Sequence, residues 1–441
     1  METVTRTPAG APPQPETELN IAPEEEHTQR RRAFVASGLG WGLDGFDWTM
    51  FAYALPAITA ALSLSPSDGP FIVACSLVAS AFGGVTGGTL ADRFGRVRVL
   101  TFVILGYSLF AGLTATAQNF EQLLLWRICH GFAFGAEWAV GAALMAEYAN
   151  PDRRGRAMGF LQSTYAIGWA LSTAAYLILF DSMNDEQAWR YLFLLGILPA
   201  IAAFFIRLTV KDRVKTGRTQ RSPISLPQLF RRDIRRTTIL TTLFGVGGQG
   251  TYYSVFIFLP TFLLEERGQT VVGTATYSWV VIAGSFIGYV VAGFIHDALG
   301  RRPAFTFYFL GSAAAITGFV LIPIDGSLAT YVVSFFLGFF ASGQAAGYGS
   351  FLAELFPTSV RGAGQGLAYN VGRGLAALGP GFIGITAGSI GLGTSIMIVG
   401  YCACALAITC VWLLPETRGK VIVEETRRAS GRFVRAGPAA T

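Results

Sequence analysis

The sequence predicts an all-α membrane protein of twelve transmembrane helices, arranged as two six-helix pseudo-symmetric halves. Three observations predict it. Hydrophobic residues make up 52% of the 441 positions before 53 glycines are counted, while 14% are charged. Soluble domains carry about 25% charge, so this chain lacks the residues to cover a water-facing surface of its size. Apolar runs of the ~20 residues that a span requires recur along the chain. The first six runs also repeat, motif for motif, in the last six.

The spans fall at roughly 33–62, 70–91, 97–117, 120–147, 156–179, 190–209, 237–264, 271–297, 303–323, 328–353, 362–388 and 391–414. Residues 1–32 are polar and Pro/Glu-rich, then basic at Arg30, Arg31 and Arg32, and read as a disordered tail without signal-peptide features. The first half covers 33–209, a basic linker 210–236, the second half 237–415 and a C-terminal tail 416–441. Of 33 lysines and arginines, 29 lie on the side of the two tails; Arg190 and Arg267 face the other side, and Arg127 and Arg373 lie inside spans. The positive-inside rule places both termini in the cytoplasm of a multi-pass protein of the cell (inner) membrane. The net charge of +6 therefore encodes orientation and is no nucleic-acid footprint.

Cys75, Cys129, Cys402, Cys404 and Cys410 all sit in apolar runs, with no ligand spacing to histidine, so neither a disulfide framework nor a metal site is expected. No GxxxxGK[ST] loop or nucleophile–base constellation occurs, which argues against ATP use and against an enzyme; no cofactor is expected.

The repeat has a constant register. Gly88, Asp92, Gly95 and Arg96 in GGTLADRFGRVR map onto Gly293, Asp297, Gly300 and Arg301 in AGFIHDALGRRP at an offset of 205. Glu147, Arg154 and Gly155 map onto Glu354, Arg361 and Gly362 at an offset of 207. Parallel halves of this kind place a solute site near the midplane between them. The GxLADRxGR stretch, which includes Arg93, and its degenerate second copy resemble the signature of the major facilitator superfamily over roughly residues 33–420. The resemblance implies that these loops latch the cytoplasmic side, with Arg96 and Arg301 within reach of Glu147 and Glu354. Asp92 can cap a neighbouring helix.

Five charges lie within the spans: Asp44, Asp47, Arg127, Glu137 and Arg373. Each costs about 2.5–3.5 kcal/mol at mid-membrane on insertion scales, so each is a functional candidate. Asp44 and Asp47 are spaced i, i+3 on one face of span 1. Like charges that close favour a bound proton. On span 4, Gly131 and Gly135 permit a tight crossing, and Arg127 could neutralise Asp47. His130, one turn on, can titrate near neutral pH, and Glu137 is either a second proton site or a partner of Arg373. The helix 1 segment resembles the DGxD motif of aromatic-acid/proton symporters and the GYD of proton-coupled sugar porters. That resemblance implies that Asp47 carries the coupling proton and pairs with Arg127. Asn370 and Arg373 in AYNVGRGLAALGP resemble a stretch of the sialate/lactate and aromatic-acid symporters, where the arginine suits organic acids. Tyr53, Gln162, Gln249, Tyr252, Tyr253, Gln344 and Tyr348 are further candidate solute contacts.

The expected activity is proton-coupled symport of a small organic anion, a monocarboxylate or aromatic acid, by a monomeric unit working through alternating access. Its partners are that acid, protons and the lipid bilayer. A sugar or polyol porter and an organic-cation or drug exporter are the alternatives. If the charge bias sets the orientation, cysteines placed at Ser222 and Thr417 react only with reagent admitted to the cytoplasm. Labelling of either from outside intact cells overturns the topology.

Overall fold

A computed structural model describes residues 23–418 except 66, 95, 149–153, 199, 202–225 and 358–359, together with 426–427 and 433–434. Twelve helices run in the predicted order. They are α1 (Pro23–Ala61), α2 (Asp68–Phe94), α3 (Arg96–Thr114), α4 (Phe120–Tyr148), α5 (Arg154–Ser182) and α6 (Asp185–Leu195) in the first half. The second half holds α7 (Arg235–Phe256), α8 (Val271–Leu299), α9 (Arg301–Leu321), α10 (Leu328–Gly343), α11 (Arg361–Ala376) and α12 (Leu392–Leu413). A two-residue antiparallel ladder pairs Thr426 with Val434 and Arg427 with Phe433.

Local chemistry sets the boundaries. Helix α1 starts at Pro23, ten residues before the expected span, so the tail is not wholly irregular. Proline suits the first helical position. Asn184 caps α6 by accepting from the Gln187 amide at 2.9 Å, and Thr270 caps α8 by accepting from the Gly273 amide at 3.1 Å. Helices α7 and α11 are broken. Each first segment stops four residues before a proline: Phe256 before Pro260, and Ala376 before Pro380. Proline cannot donate to the carbonyl four residues back, so the ladder fails there. Helix α7 resumes as Leu259–Thr261 and a π-turn Phe262–Glu266, and α11 as Leu378–Ile390. Helix α10 passes through a 3-10 segment, Gln344–Gly347, into Tyr348–Leu355.

Among the described residues, six helices are long and apolar enough to cross a membrane on those grounds alone: α2, α5, α8, α9, α10 and α12. Helices α1, α4, α7 and α11 are not among them, and these four carry much of the polar centre. Large apolar side chains point outward, with Phe82 66% and Ile385 80% exposed. This inversion of the soluble pattern suits a lipid-facing surface.

The halves repeat a close helix crossing. Gly131 of α4 lies against the Ser76 carbonyl of α2, and Gly83 of α2 against the Phe132 carbonyl. In the second half, Gly338 of α10 meets the Val281 carbonyl of α8, and Gly288 of α8 the Phe339 carbonyl. No Cβ fits at any of the four. Gly131 maps onto Gly338 at the offset of 207, and Gly83 onto Gly288 at 205, so the crossing belongs to the duplicated scaffold. Between halves, α5 packs on α8 and α2 on α11.

Because backbone and not a flexible side chain faces Gly131, Gly131→Val should lose about 1–3 kcal/mol through overpacking. A thermal unfolding midpoint in detergent reads this out, with lipid-facing Phe102→Ala as the neutral control. Unchanged stability in Gly131→Val contradicts the crossing.

Candidate functional site

A cavity of about 470 Å³ lies between the halves. Its wall draws on α1 (Trp41, Trp48), α4 (Phe134), α5 (Gln162, Tyr165), α7 (Gln249, Tyr252, Tyr253), α8 (Tyr289), the α10 segment (Gln344, Ala345, Tyr348) and α11 (Tyr369, Arg373). Seven candidate contacts therefore converge: Gln162, Gln249, Tyr252, Tyr253, Gln344, Tyr348 and Arg373. Two of them also join helices. The Gln344 amide donates to the Gly248 carbonyl at 3.0 Å, and the Tyr348 hydroxyl to the Phe244 carbonyl at 3.3 Å.

Two candidates do not reach the cavity. Tyr53 is turned to α5, where its hydroxyl bonds Thr173 at 2.8 Å and accepts from Trp169 Nε1 at 3.1 Å. Its ring stacks on Tyr176 at 4.7 Å. These contacts engage its hydroxyl and stack its ring on α5, so Tyr53 joins helices. Asn370 donates to the Gly366 carbonyl at 3.0 Å, and its amide presses on Gly84 of α2, where no Cβ fits. Six aromatic liners went unnoticed in the sequence: Trp41, Trp48, Phe134, Tyr165, Tyr289 and Tyr369. Five had a readable signal. Trp41 and Trp48 bracket Asp44 at −3 and +4; Phe134 follows His130 by four and Tyr165 follows Gln162 by three; Tyr369 precedes Arg373 by four.

Arg373 is 2% exposed, and its guanidinium lies over the rings of Phe134 at 4.9 Å and Tyr369 at 4.8 Å. Its Nη2 donates to the Tyr369 hydroxyl at 3.1 Å. Its Nε and Nη1 have no hydrogen-bond partner among the described residues. The carboxylate pairing considered for it, with Asp44 or Glu137, does not form within ion-pair distance among those residues.

The remaining charges sit between α1 and α4, all buried. Asp47 Oδ2 lies 2.5 Å from His130 Nε2. The expected direct pair of Asp47 with Arg127 is replaced by this contact. Arg127 instead lies 4.3 Å from the centre of the Phe51 ring and 5.8 Å from that of Phe193, a cation–π seat that keeps its charge off lipid. Both Asp44 oxygens, Glu137 Oε2 and the Tyr107 hydroxyl of α3 are buried without a hydrogen-bond partner among the described residues. Glu137 Oε1 occupies the space that a Cβ on Gly40 would fill.

The Major Facilitator Superfamily profile matches residues 38–380 and 276–438. The chain belongs to that superfamily. It is 39% identical over 398 residues to a Cupriavidus pinatubonensis protein named "Probable 4-methylmuconolactone transporter", covering 89% of this chain and 92% of the relative. It is 30% identical over 386 residues to the "Cis,cis-muconate transport protein" of Acinetobacter baylyi, covering 85% and 92%. The "Sialic acid transporter NanX" of Escherichia coli is 28% identical over 389 residues, covering 87% and 93%. Among solved structures, the proton:xylose symporter XylE bound to 6-bromo-6-deoxy-D-glucose shares the fold, with a TM-score of 0.73 at 18% identity over 90% of this chain and 98% of that one. This superfamily member is a multi-pass membrane transporter and not an enzyme.

The second copy of the superfamily signature is held by ion pairs at the predicted cytoplasmic end. In the second copy, Arg301 grips Glu354 with two bonds, Nη2 to Oε1 at 2.8 Å and Nε to Oε2 at 3.1 Å. Its Nη1 reaches Asp297 at 3.2 Å and the His296 carbonyl at 2.8 Å. The Thr417 hydroxyl donates to Glu354 at 2.5 Å. Glu416 accepts from the Arg301 and Arg302 amides, both at 2.9 Å, and so caps α9. Partial burial pushes its carboxyl up, but backbone donation from Arg301, Arg302, Arg418 and Thr417 outweighs this and holds it below the usual range. That cap is therefore present above the unfolded pKa and fades as pH falls through the folded one. Residues 416–418 are thus docked and not a free tail, and buried Thr417 is a poor labelling position. Gly95 and Ser222 lie outside the described residues, and Gly88, Asp92, Arg93, Arg96, Glu147, Arg154 and Arg361 are described by their helical backbone alone.

Proposed function

We propose that the chain is a proton-coupled symporter of a small organic anion, a monocarboxylate or aromatic acid. It would act as a monomeric unit in the inner membrane with both termini cytoplasmic. Arg373 carries this reading, because a buried guanidinium on the cavity wall keeps two nitrogens unpartnered among the described residues. A planar fork takes a carboxylate through two parallel bonds. A neutral sugar would leave that charge unpaired, and an organic cation would be repelled by it. The surrounding aromatic faces suit a flat or apolar body, and Gln162 and Gln249 offer hydrogen bonds to its polar atoms. The relatives named for muconate, a methylmuconolactone and sialic acid support the same class.

Proton coupling is assigned to the α1–α4 acids. Asp47 and His130 at 2.5 Å form a carboxylate–imidazole pair that can bind or release one proton. Asp44, Glu137 and Arg127 set the charge around it. The proton gradient would supply the energy, as the halves rock around the midplane cavity.

Arg373→Lys keeps the charge and loses the fork, so affinity for the acid should fall by roughly 10- to 150-fold, the ~1.5–3 kcal/mol of a charged hydrogen bond. The wild type should bind the acid far better than its methyl ester. Equal affinity for acid and ester ends the organic-anion reading and moves the cation exporter to first place.

Asp47→Asn removes the ionisable carboxylate with little change in shape. Reconstituted vesicles should lose uphill, pH-driven uptake and retain counterflow, since exchange needs no net proton movement. Undiminished accumulation against a gradient rules Asp47 out.

A further inference from the structure

We infer that Phe134 couples the two sites of the transporter. Its ring holds the Asp47–His130 pair and Arg373 at a fixed, buried separation, so that proton and substrate each favour the other's binding. Phe134 is a positioning residue, since it acts through the two charged groups that flank it. The inference rests on the proton-coupled organic-anion reading and names the side chain that links its two sites.

The link is built from one helix register and one contact between halves. His130 and Phe134 stand four residues apart on α4 and so share a face. Their rings stack, with centres 6.1 Å apart and planes at 23°. The imidazole Nε2 lies 2.5 Å from Asp47 Oδ2 of α1. Phe134 also lines the cavity, where the Arg373 guanidinium of α11 lies over its ring at 4.9 Å. Imidazole and guanidinium are therefore no farther apart than these two distances together, about 11 Å. His130, Phe134 and Arg373 are all buried. Trp48, next to Asp47 in the chain, stacks on Phe134 at 5.7 Å and 25° and helps to fix the ring's orientation. Of the two rings under Arg373, Tyr369 belongs to its own helix and Phe134 to the other half.

Charge turns this link into a coupling. Without a proton the Asp47–His130 pair carries one negative charge; with one it is neutral overall, an imidazolium beside a carboxylate. An anion docking on Arg373 meets the unprotonated pair across the width of the ring. At an effective dielectric of about 20, unit charges ~11 Å apart change affinity by roughly tenfold. The ring sharpens the linkage, because its face attracts a cation. With a proton bound and no substrate, Phe134 is flanked by two cations, the imidazolium and an uncompensated guanidinium. A carboxylate on Arg373 removes that conflict. The empty and the doubly loaded states avoid both penalties, and these are the two that a symporter carries across. Linkage is reciprocal, so the proton strengthens substrate binding by the factor with which substrate strengthens proton binding. The other charged or titratable groups around the pair are Arg127 on α4, Tyr107 of α3 with its ring 6.1 Å from the imidazole, and Tyr253 of α7 behind Trp48. Asp44 and Glu137 lie further along α1 and α4, and α2 faces α4 here with the Ser76 and Ser80 carbonyls. These groups set the pH at which the pair takes its proton; the ring sets how strongly substrate shifts it.

The test is the pH dependence of affinity. Benzoate, with nicotinate as second probe, is titrated calorimetrically into the purified protein at pH values on the acidic and alkaline sides of the uptake transition. The wild type should bind roughly tenfold more tightly on the acidic side. Phe134→Tyr keeps the ring face and should keep that ratio. Phe134→Leu, with folding checked by gel filtration, should lower it to about twofold or less, whatever happens to the affinities themselves. A ring-fluorinated phenylalanine at position 134 retains the shape and strips charge from the ring faces, so it should fall between the two. An undiminished ratio in Phe134→Leu or in the fluorinated protein overturns the inference. So does a wild-type affinity independent of pH when a pH gradient still drives uptake into vesicles. Absence of pH-driven uptake, or of binding by either acid, sinks the symport reading beneath it instead.

Discussion

An ionised side chain at the centre of a bilayer is expensive, and this fold is organised around meeting that cost five times over. Each buried charge has a different solution. Arg127 lies on the faces of Phe51 and Phe193. Asp47 meets His130 at 2.5 Å, and Glu137 turns one carboxyl oxygen to Gly40 of α1, one turn before Asp44. Arg373 rests on Phe134 and Tyr369 with part of its fork open to the cavity. The charges of α1 and α4 are enclosed by protein, and Arg373 keeps two nitrogens without a partner among the described residues. Aromatic residues recur in these solutions because a ring face stabilises a cation without adding a second formal charge.

Scaffold and chemistry obey different symmetries. The glycine-mediated crossing of α2 with α4 is repeated by α8 with α10, with Gly131 and Gly338 in equivalent positions. The buried charges are not repeated: Arg127 maps onto Ser334 at the offset of 207. The first half thus gathers the acids and the second half supplies Arg373 from α11. The cavity lies where they meet, with α1, α4 and α5 on one wall and α7, α8, α10 and α11 on the other. Phe134 connects the two groups of charges, because its ring stacks on the His130 ring on its own helix and lies under the Arg373 guanidinium across the interface.

Much of this was legible in the sequence, and the reason is the simplicity of the bilayer as a solvent. Span length, the bias of 29 basic residues to one side, the 205 and 207 offsets and the five intramembrane charges all follow from composition and period. Seven of nine candidate solute contacts line the cavity, since a polar residue in a span generally turns inward. Helix period also held enough to find five of the six missed aromatic liners, one turn from residues already singled out.

Partner choice was decided only by tertiary structure. A helical register places Asp47 and Arg127 on faces that can meet, but the crossing of α1 and α4 brings His130 to Asp47 and lays Arg127 on two rings. Tyr53 and Asn370 carry the same polar groups as true liners, yet α5 claims the first and Gly84 of α2 seats beside the second. The tail residues Glu416 and Thr417 look unremarkable until α9 and Glu354 come to lie beside them. The sequence by itself determined that these charges are buried and that the halves repeat, because hydropathy and register are local properties. Which atoms neutralise which was left to the crossing of helices far apart in the chain, where shifts of a few ångströms decide between a carboxylate, an imidazole and a ring face.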